Sequence, residues 1–247
     1  MLEPCVNQAA GLQALALQHA PRLVTVASHG RQAGELPLLW GLCTCWVELD
    51  LSVLVLDAHT QESPDNPGLA QWLDNPLQRA GDDFQETAWQ VLPASHGLRR
   101  LTGLSTLQNA LAHLPQQHDV VLIYADAASL ARLFSGCGIA PLIVVPPALS
   151  AAVSAYAALK QLLQNQLHPG VANLVPESIS CAPGASTTSM LHLTQCASAF
   201  LGYHMQPSTV IASPQPIQVR QDLQHLALQL FENALPLVKV QRNERVH

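Results

Sequence analysis

Short apolar runs alternate with longer, helix-length segments along the chain. The runs are rich in β-branched residues or bounded by turn residues, as is typical of strands, and they lie at residues 23–27, 53–56, 91–92, 120–124 and 142–145. The helix-length segments lie at residues 36–49, 68–77, 105–114, 127–134, 150–165 and 218–235. Because parallel strands need crossover helices between them, the alternation predicts an α/β fold, a three-layer sandwich around a mostly parallel central sheet.

The composition limits both the domain count and the kinds of partner. The chain has 247 residues, of which 49% are hydrophobic and 11% charged, whereas roughly 25% are charged in an average globular protein. This length fits one large domain. The net charge is −6 and no run of lysine or arginine occurs, so we expect no nucleic-acid groove. Without a long apolar stretch or a signal pattern, we expect a cytoplasmic protein with at most peripheral membrane contact.

The cysteines and histidines do not form a metal-binding pattern. The six cysteines are scattered, and Cys43 and Cys45, two positions apart in a predicted helix, do not share a face. No second ligand pair lies at a suitable spacing, and the eleven histidines are equally dispersed. We therefore expect reduced, buried thiols and no metal. No Ser-His-Asp constellation or Gly-x-Ser-x-Gly motif indicates an unrelated hydrolase.

The first predicted strand leads into a glycine-containing loop and then into an apolar helix. Residues 22–36 read RLVTVASHGRQAGEL. This is the layout of a phosphate-binding loop, in which backbone N–H groups and a helix N-terminus hold the anion and a lysine neutralises it. Two later strands end close to an aspartate, Asp57 and Asp126. Ligands bind at the carboxyl ends of parallel strands, so this edge of the sheet is the candidate site.

At this loop the chain resembles the MinD/ParA family of deviant Walker ATPases, and more narrowly the FlhG or FleN regulators of flagellar number. The resemblance implies a P-loop NTPase-like domain. In that family the loop reads Lys-Gly-Gly-Val-Gly-Lys-Thr. Here Gly30 stands at the signature lysine, Glu35 at the phosphate-binding lysine and Leu36 at the magnesium-binding threonine. Ser28 and Gly34 keep the pattern.

These departures predict that binding of ATP and magnesium is lost or weak, so that no cofactor is expected. A glutamate in place of a lysine turns attraction for phosphate into repulsion, and one charge pair at about 4 Å is worth roughly 4 kcal/mol at an effective dielectric constant of 20. No lysine occurs before Lys160. The alternative is an atypical ATPase in which Arg31, two positions after His29 in the loop, supplies the missing cation.

The strand ends also depart from the active members of the family. Asp57 and Ala58 match, but His59 follows where active members have a second aspartate. Tyr124 stands where an active member has an aspartate, with Asp126 two positions on. We interpret Asp57 and Asp126 as turn or capping residues of a degenerate site. The resemblance therefore implies no catalytic residue.

The N-terminal segment resembles the helix with which FlhG proteins bind FlhF, a signal-recognition-type GTPase. The family pattern is Asp-Gln-Ala-x-x-Leu-Arg, and this chain has NQAAGLQ in its place. The candidate partner-binding residues are Asn7, Gln8, Ala9 and Leu12, of which all but Asn7 match. Asn7 can cap a helix in which Ala9, Leu12 and Ala16 share one face. An ordinary amphipathic helix is the alternative interpretation.

Two further segments support the flagellar branch of the family. Residues 91–101, VLPASHGLRRL, resemble a strand and turn that the family writes LPAgsG before basic residues. Residues 143–157, IVVPPALSAAVSAYA, resemble VVTTPEPSAVTDAYA, although the Thr-Thr-Pro-Glu is broken. The predicted division of the chain is an interaction helix at 1–20, the degenerate NTPase-like domain at 21–240 and a flexible tail at 241–247.

Together these features predict a non-hydrolysing, FlhG-like regulator that acts by protein–protein interaction in flagellar placement or number control. Its predicted partners are an FlhF-like GTPase or another flagellar assembly protein. A homodimer would be constitutive or induced by a partner, because ATP could not drive it. Two alternatives stay open: an atypical nucleotide-binding ATPase of the same family, and a MinD-like scaffold for cellulose synthase or for partitioning.

Overall fold

The computed structural model describes six stretches of the chain. They are residues 20–30, 32–75, 89–112, 118–176, 187–212 and 216–237. These stretches contain a central sheet and the helices that cover it. Residues 1–19 of the expected interaction helix and the whole of the expected tail lie outside them.

Eight strands of the described residues form one sheet. The strands are β1 (Arg22–Ser28), β2 (Val53–Asp57), β3 (Trp89–Pro93), β4 (Val120–Asp126), β5 (Leu142–Val145), β6 (Gly170–Pro176), β7 (Ser208–Ala212) and β8 (Leu235–Pro236). Their order is β3-β2-β4-β1-β5-β6-β7, and β8 lies beside the start of β1. Neighbouring strands are parallel except for β8, which is antiparallel to β1. β1 therefore lies in the middle of the sheet.

Helices follow most of these strands. The helices are α1 (Gln32–Glu48), α2 (Leu69–Asp74), α3 (Ser95–Arg100), α4 (Leu104–Ala112), α5 (Ala127–Phe134), α6 (Leu149–Gln164), α7 (Thr188–Cys196) and α8 (Pro216–Glu232). A π-helical turn, Ala197–Leu201, extends α7. The prediction of parallel strands joined by helices is confirmed.

The helices cover both faces of the sheet and enclose two hydrophobic cores. α1 and α8 pack on one face, where Trp46 of α1 donates a hydrogen bond from Nε1 to the carbonyl of Ala227 at 3.0 Å. α2 to α7 pack on the other face. The central strands are accordingly buried on both sides, and β4 is buried from Val120 to Ala125. The predicted three-layer sandwich is confirmed.

The parallel register brings three strand ends together at one edge of the sheet. Ser28 at the end of β1 lies beside Asp126 of β4, and Asp57 at the end of β2 lies beside Tyr124. The loop after β1 opens at this edge, at the middle of the sheet. In the described part of the chain, none of the helices has the length and apolar character needed to cross a membrane.

Candidate functional site

The loop between β1 and α1 lies at the amino end of a helix, the place where anions bind in many proteins. Gly30 has a φ of +83°, a left-handed conformation that favours glycine. α1 begins at Gln32, so the N–H groups of its first turn point back towards the loop. Arg31, the cation of the alternative ATPase hypothesis, lies outside the described residues.

Glu35 fills the centre of this loop. Its side chain is fully buried. Oε2 accepts hydrogen bonds from the hydroxyls of Ser28 at 2.8 Å and Tyr124 at 2.5 Å, and Oε1 accepts from the backbone N–H of His29 at 3.2 Å. Three donors thus converge on one carboxylate, as donors converge on the oxygens of a bound anion. The loop carries its own anion, supplied by the helix that follows it.

Tyr124 closes the site from β4, at the position where the resemblance leads one to expect an aspartate. Its side chain is buried, and its hydroxyl lies 3.2 Å from Ser28 Oγ as well as against Glu35. Burial raises the pKa of Tyr124 above its ordinary value, and the hydrogen bond to Glu35 raises it further, whereas the contact with Ser28 lowers it. The phenol is therefore held in its protonated form and donates to the carboxylate.

His29 ties the loop to β5 and to α6. Its Nδ1 lies 2.8 Å from Ser154 Oγ, and its Nε2 lies 2.6 Å from the carbonyl of Val144. A carbonyl only accepts hydrogen bonds, so Nε2 carries a proton and donates to Val144. Glu35 Oε1 lies 3.4 Å from the same nitrogen. The imidazole is therefore fixed at both nitrogens, and the loop is braced against two neighbouring elements.

The first turn of α1 packs closely against the end of β5. A Cβ atom added to Gly34 would lie 2.5 Å from Cγ of Pro146, closer than real Cβ contacts come. This close approach favours glycine, which has no Cβ atom, at position 34. It also fixes the position of the next residue, Glu35, and so directs its carboxylate into the loop.

The two aspartates at the strand ends serve the local backbone. Asp57 accepts hydrogen bonds from the N–H of His59 at 2.9 Å and from the hydroxyl of Thr60 at 2.5 Å, which forms a turn after β2. Asp126 caps α5 by accepting from the N–H of Ser129 at 2.8 Å. Both carboxylates thus have the turn and capping roles that the sequence suggests.

A pocket of about 330 Å³ opens beside the loop, between the start of α5 and the side of α6. Its lining residues are Ser28, His29, Gly30, His59, Asp126, Ala127, Ser154, Ala157, Ala158 and Gln161. Glu35 does not belong to this lining, so its carboxylate is sealed from the pocket. Over the described ranges, no group of three or more His, Cys, Asp or Glu side chains is placed to hold a metal ion.

Sequence reasoning identified the loop residues but missed three of the groups that complete the site. Tyr124 was considered only as a lost aspartate, and Ser154 and the Val144 carbonyl were not considered. Ser154 is 125 positions from His29, and Tyr124 is 89 positions from Glu35. Only the parallel arrangement of β1, β4 and β5 brings them together. The candidate partner-binding residues Asn7, Gln8, Ala9 and Leu12 lie outside the described residues.

The fold has counterparts among solved structures. The MinD cell division protein of Aquifex aeolicus matches 87% of this chain with 99% of its own, at 14% sequence identity and a TM-score of 0.54. A ParA family ATPase from Chlorobium tepidum TLS matches 85% of this chain with 98% of its own, at 12% identity and a TM-score of 0.54. The chain has the MinD/ParA fold.

A third structure extends the range of proteins with this MinD/ParA fold. Cobyrinic acid a,c-diamide synthase from Mycobacterium smegmatis, solved with an ATP analogue and magnesium bound, matches 85% of this chain with 94% of its own. The identity is 15% and the TM-score 0.51. No family model and no curated protein sequence matches the chain. At these identities the similarity establishes the fold, and the chemistry of the loop follows from the residues of this chain.

Proposed function

We propose that this chain is a MinD/ParA-fold regulator that does not hydrolyse ATP and acts by binding other proteins. The observation that carries the proposal is the buried carboxylate of Glu35 at the centre of the loop. Ser28, the backbone of His29 and Tyr124 all donate to it. These donors are occupied by Glu35 and are therefore not available to a phosphate group.

Glu35 also opposes a phosphate by its charge. A phosphate oxygen held by the same donors would lie within about 4 Å of the carboxylate, where the repulsion is roughly 4 kcal/mol at an effective dielectric constant of 20. That energy corresponds to about three decades in Kd. Expelling the side chain instead would break its three hydrogen bonds and move Tyr124. We therefore propose that ATP and magnesium are not cofactors of this chain.

The proposed partner is an FlhF-like GTPase or another flagellar assembly protein. Support comes from the sequence resemblance of the N-terminal segment and of residues 91–101 and 143–157 to the flagellar branch. The latter two segments lie on β3 with α3 and on β5 with α6. Because the loop is filled by its own side chain, partner binding would not be switched by a nucleotide.

Calorimetric titration of the full chain with magnesium-ATP and magnesium-ADP tests the loop, at protein concentrations near about 100 μM so that weak binding is visible. We expect no heat of binding and no shift in melting temperature.

Glu35→Lys places a cation at the phosphate position, and we expect magnesium-ATP to raise the melting temperature of this variant alone. Glu48→Lys makes the same charge change at an exposed position of the same helix and serves as the control. Low-micromolar binding by the unmodified chain would overturn the proposal in favour of the atypical ATPase, and Arg31→Ala would then be the next variant.

The partner assignment is tested separately, with a purified FlhF-like GTPase. We expect the full chain to bind it and to stimulate its GTP hydrolysis, and Gln8→Ala to abolish the stimulation, because glutamines orient catalytic water in other GTPases. Binding that is insensitive to magnesium-ATP is part of the expected result. No binding at all would argue against the flagellar role and favour the scaffold alternative in cellulose-synthase localisation or partitioning.

A further inference from the structure

Exposed apolar side chains of α1 and β3 form a surface patch along the line where the two elements meet. It is formed by Leu36, Trp40, Trp89 and Val91, and we call it the α1/β3 groove. Trp40 is 65% exposed, Val91 51% and Leu36 47%. The rings of Trp40 and Trp89 meet edge to face, with centroids 4.6 Å apart. Leu36 is one helical turn from Trp40, and Val91 lies on the same face of β3 as Trp89, so the four side chains are contiguous. Contiguous apolar surface of this kind marks a binding surface.

α1 lacks the polar outer face of an ordinary surface helix. There is no charged side chain between residues 36 and 47. The inner face of α1 packs into the core through Leu38, Leu39 and Leu42, and α8 covers one flank. A helix that is apolar on all sides is a buried helix, so the flank beside β3 requires a cover.

We propose that the N-terminal segment of this chain docks in the α1/β3 groove, as a helix that presents Ala9, Leu12 and Ala16 to Trp40. The charge of the segment fits the groove. Residues 1–19 carry a single charged side chain, Glu3, and the groove carries none. An uncharged helix against an uncharged groove leaves no buried ion without a partner.

The length of the segment and its attachment point also fit the groove. β3 lies three strands from β1, which is about 14 Å across the sheet. Residues 17–21 connect the proposed helix to β1, and five extended residues span up to about 17 Å. α1 ends at the amino edge of the sheet, where β1 begins, so a helix at residues 8–16, about 13 Å long, would lie alongside α1.

If the N-terminal segment docks in the α1/β3 groove, it has two alternative binding sites, the groove and the partner protein. The same segment carries the proposed partner-binding residues, so a bound partner and an occupied groove exclude each other. This consequence rests on the proposed function, whereas the docking itself does not. A partner that binds the segment would leave Trp40 and Trp89 uncovered. Partner binding would therefore expose a second apolar surface on the domain.

Acrylamide quenching of tryptophan fluorescence in the full chain tests the docking, without nucleotide or partner. Two of the four tryptophans line the groove, and the other two, Trp46 and Trp72, are buried. We expect Leu12→Asp to raise the quenching constant about twofold, because it expels the segment and exposes Trp40. Ala14→Asp is the matched control, since a residue two positions on points to the opposite side of a helix, and it should leave the quenching unchanged. Trp40→Phe should remove most of the increase.

Three results would overturn the docking proposal. The first is equal quenching in the unmodified chain and in Leu12→Asp, which would show that the groove is open in both. The second is an increase in Ala14→Asp as large as in Leu12→Asp. The third is protection of the tryptophans that depends on protein concentration, which would assign the groove to a second copy of the chain. The circular dichroism of each variant shows whether the domain remains folded. A failure of this test would leave the calorimetric test of the loop untouched.

Discussion

At the scale of residues, one side chain determines what the loop holds. Glu35 places a covalently attached carboxylate in the loop, and Tyr124 is one of the three donors that satisfy it. The absence of a lysine from the loop could be read from the sequence, because the loop lies within a short stretch of chain. The partners of Glu35 could not be predicted in full, because Tyr124 reaches it only through the pairing of β1 with β4.

Glu35→Gln tests whether the carboxylate itself organises the loop. The amide keeps the size of the side chain but places an NH₂ group among the donors of Ser28, His29 and Tyr124. We expect a loss of about 1–3 kcal/mol in the free energy of unfolding, which is the cost of leaving a buried polar group unsatisfied. Urea unfolding measures it, with Glu232→Gln, at an exposed position at the end of α8, as the control. Equal stability of the two variants would show that Glu35 is only a space-filling residue.

The pH dependence of stability tests the protonated state of Tyr124. Its pKa is raised in the folded chain, so its contribution is fully present below the unfolded pKa of about 10 and is lost as the pH rises through the folded value. Tyr124→Phe should be less stable than the unmodified chain at neutral pH, and the difference should shrink above about pH 10. Cys43, whose pKa burial raises to about 12, is present in both proteins and cancels from the comparison. A difference that stays constant with pH would contradict the buried phenol–carboxylate bond.

At the scale of elements, the approach of α1 to β5 positions the site. The sequence predicted α1 from residue 36, whereas the helix begins at Gln32, because the loop turns directly into it. The pattern also did not predict the strands β6, β7 and β8 or the helices α3 and α7. α3 has only six residues, β7 begins with the polar residues Ser208 and Thr209, and β6 begins with Gly170 and contains Asn173, so none of the three carries a strong apolar signal. Elements with an uninterrupted apolar run or a long apolar face were predictable, and elements whose apolar run is short or interrupted were not.

Gly34→Ala tests the contact between α1 and β5. The added Cβ would meet Cγ of Pro146 at 2.5 Å, so α1 or the chain after β5 must shift. We expect a loss of about 1–3 kcal/mol, the usual cost of overpacking a tight contact. Gly103→Ala is the matched control, because the nearest atom to its Cβ would be the Leu133 carbonyl oxygen at 4.0 Å, an ordinary contact. If the two variants have the same unfolding midpoint in urea, the close approach does not constrain the loop.

At the scale of the whole molecule, the MinD/ParA fold and the chemistry of its central loop depend on different sets of residues. The two cores and the parallel sheet follow from apolar residues spread along the chain, which is why the fold class could be predicted from sequence. The loop depends on a few side chains, of which Tyr124 belongs to one of these cores and Glu35 to neither. The chemistry of the loop is therefore determined by single residues, and it could not be predicted from the spread of apolar positions.

The oligomeric state provides a test at this scale. If the loop cannot hold ATP, no nucleotide can shift an equilibrium between monomer and dimer, because a ligand acts only through different affinities for two states. We expect sedimentation velocity to give the same mass with and without magnesium-ATP at each concentration from about 1 μM to about 100 μM. The fraction of the chain that is dimeric should then depend on protein concentration alone. Glu35→Lys is the informative variant. An ATP-dependent change in its mass would show that the carboxylate of Glu35 alone prevents ATP from acting on the oligomeric state. An ATP-dependent change in the unmodified chain would instead mean that Glu35 yields to phosphate, and a nucleotide-controlled switch would replace the constitutive regulator.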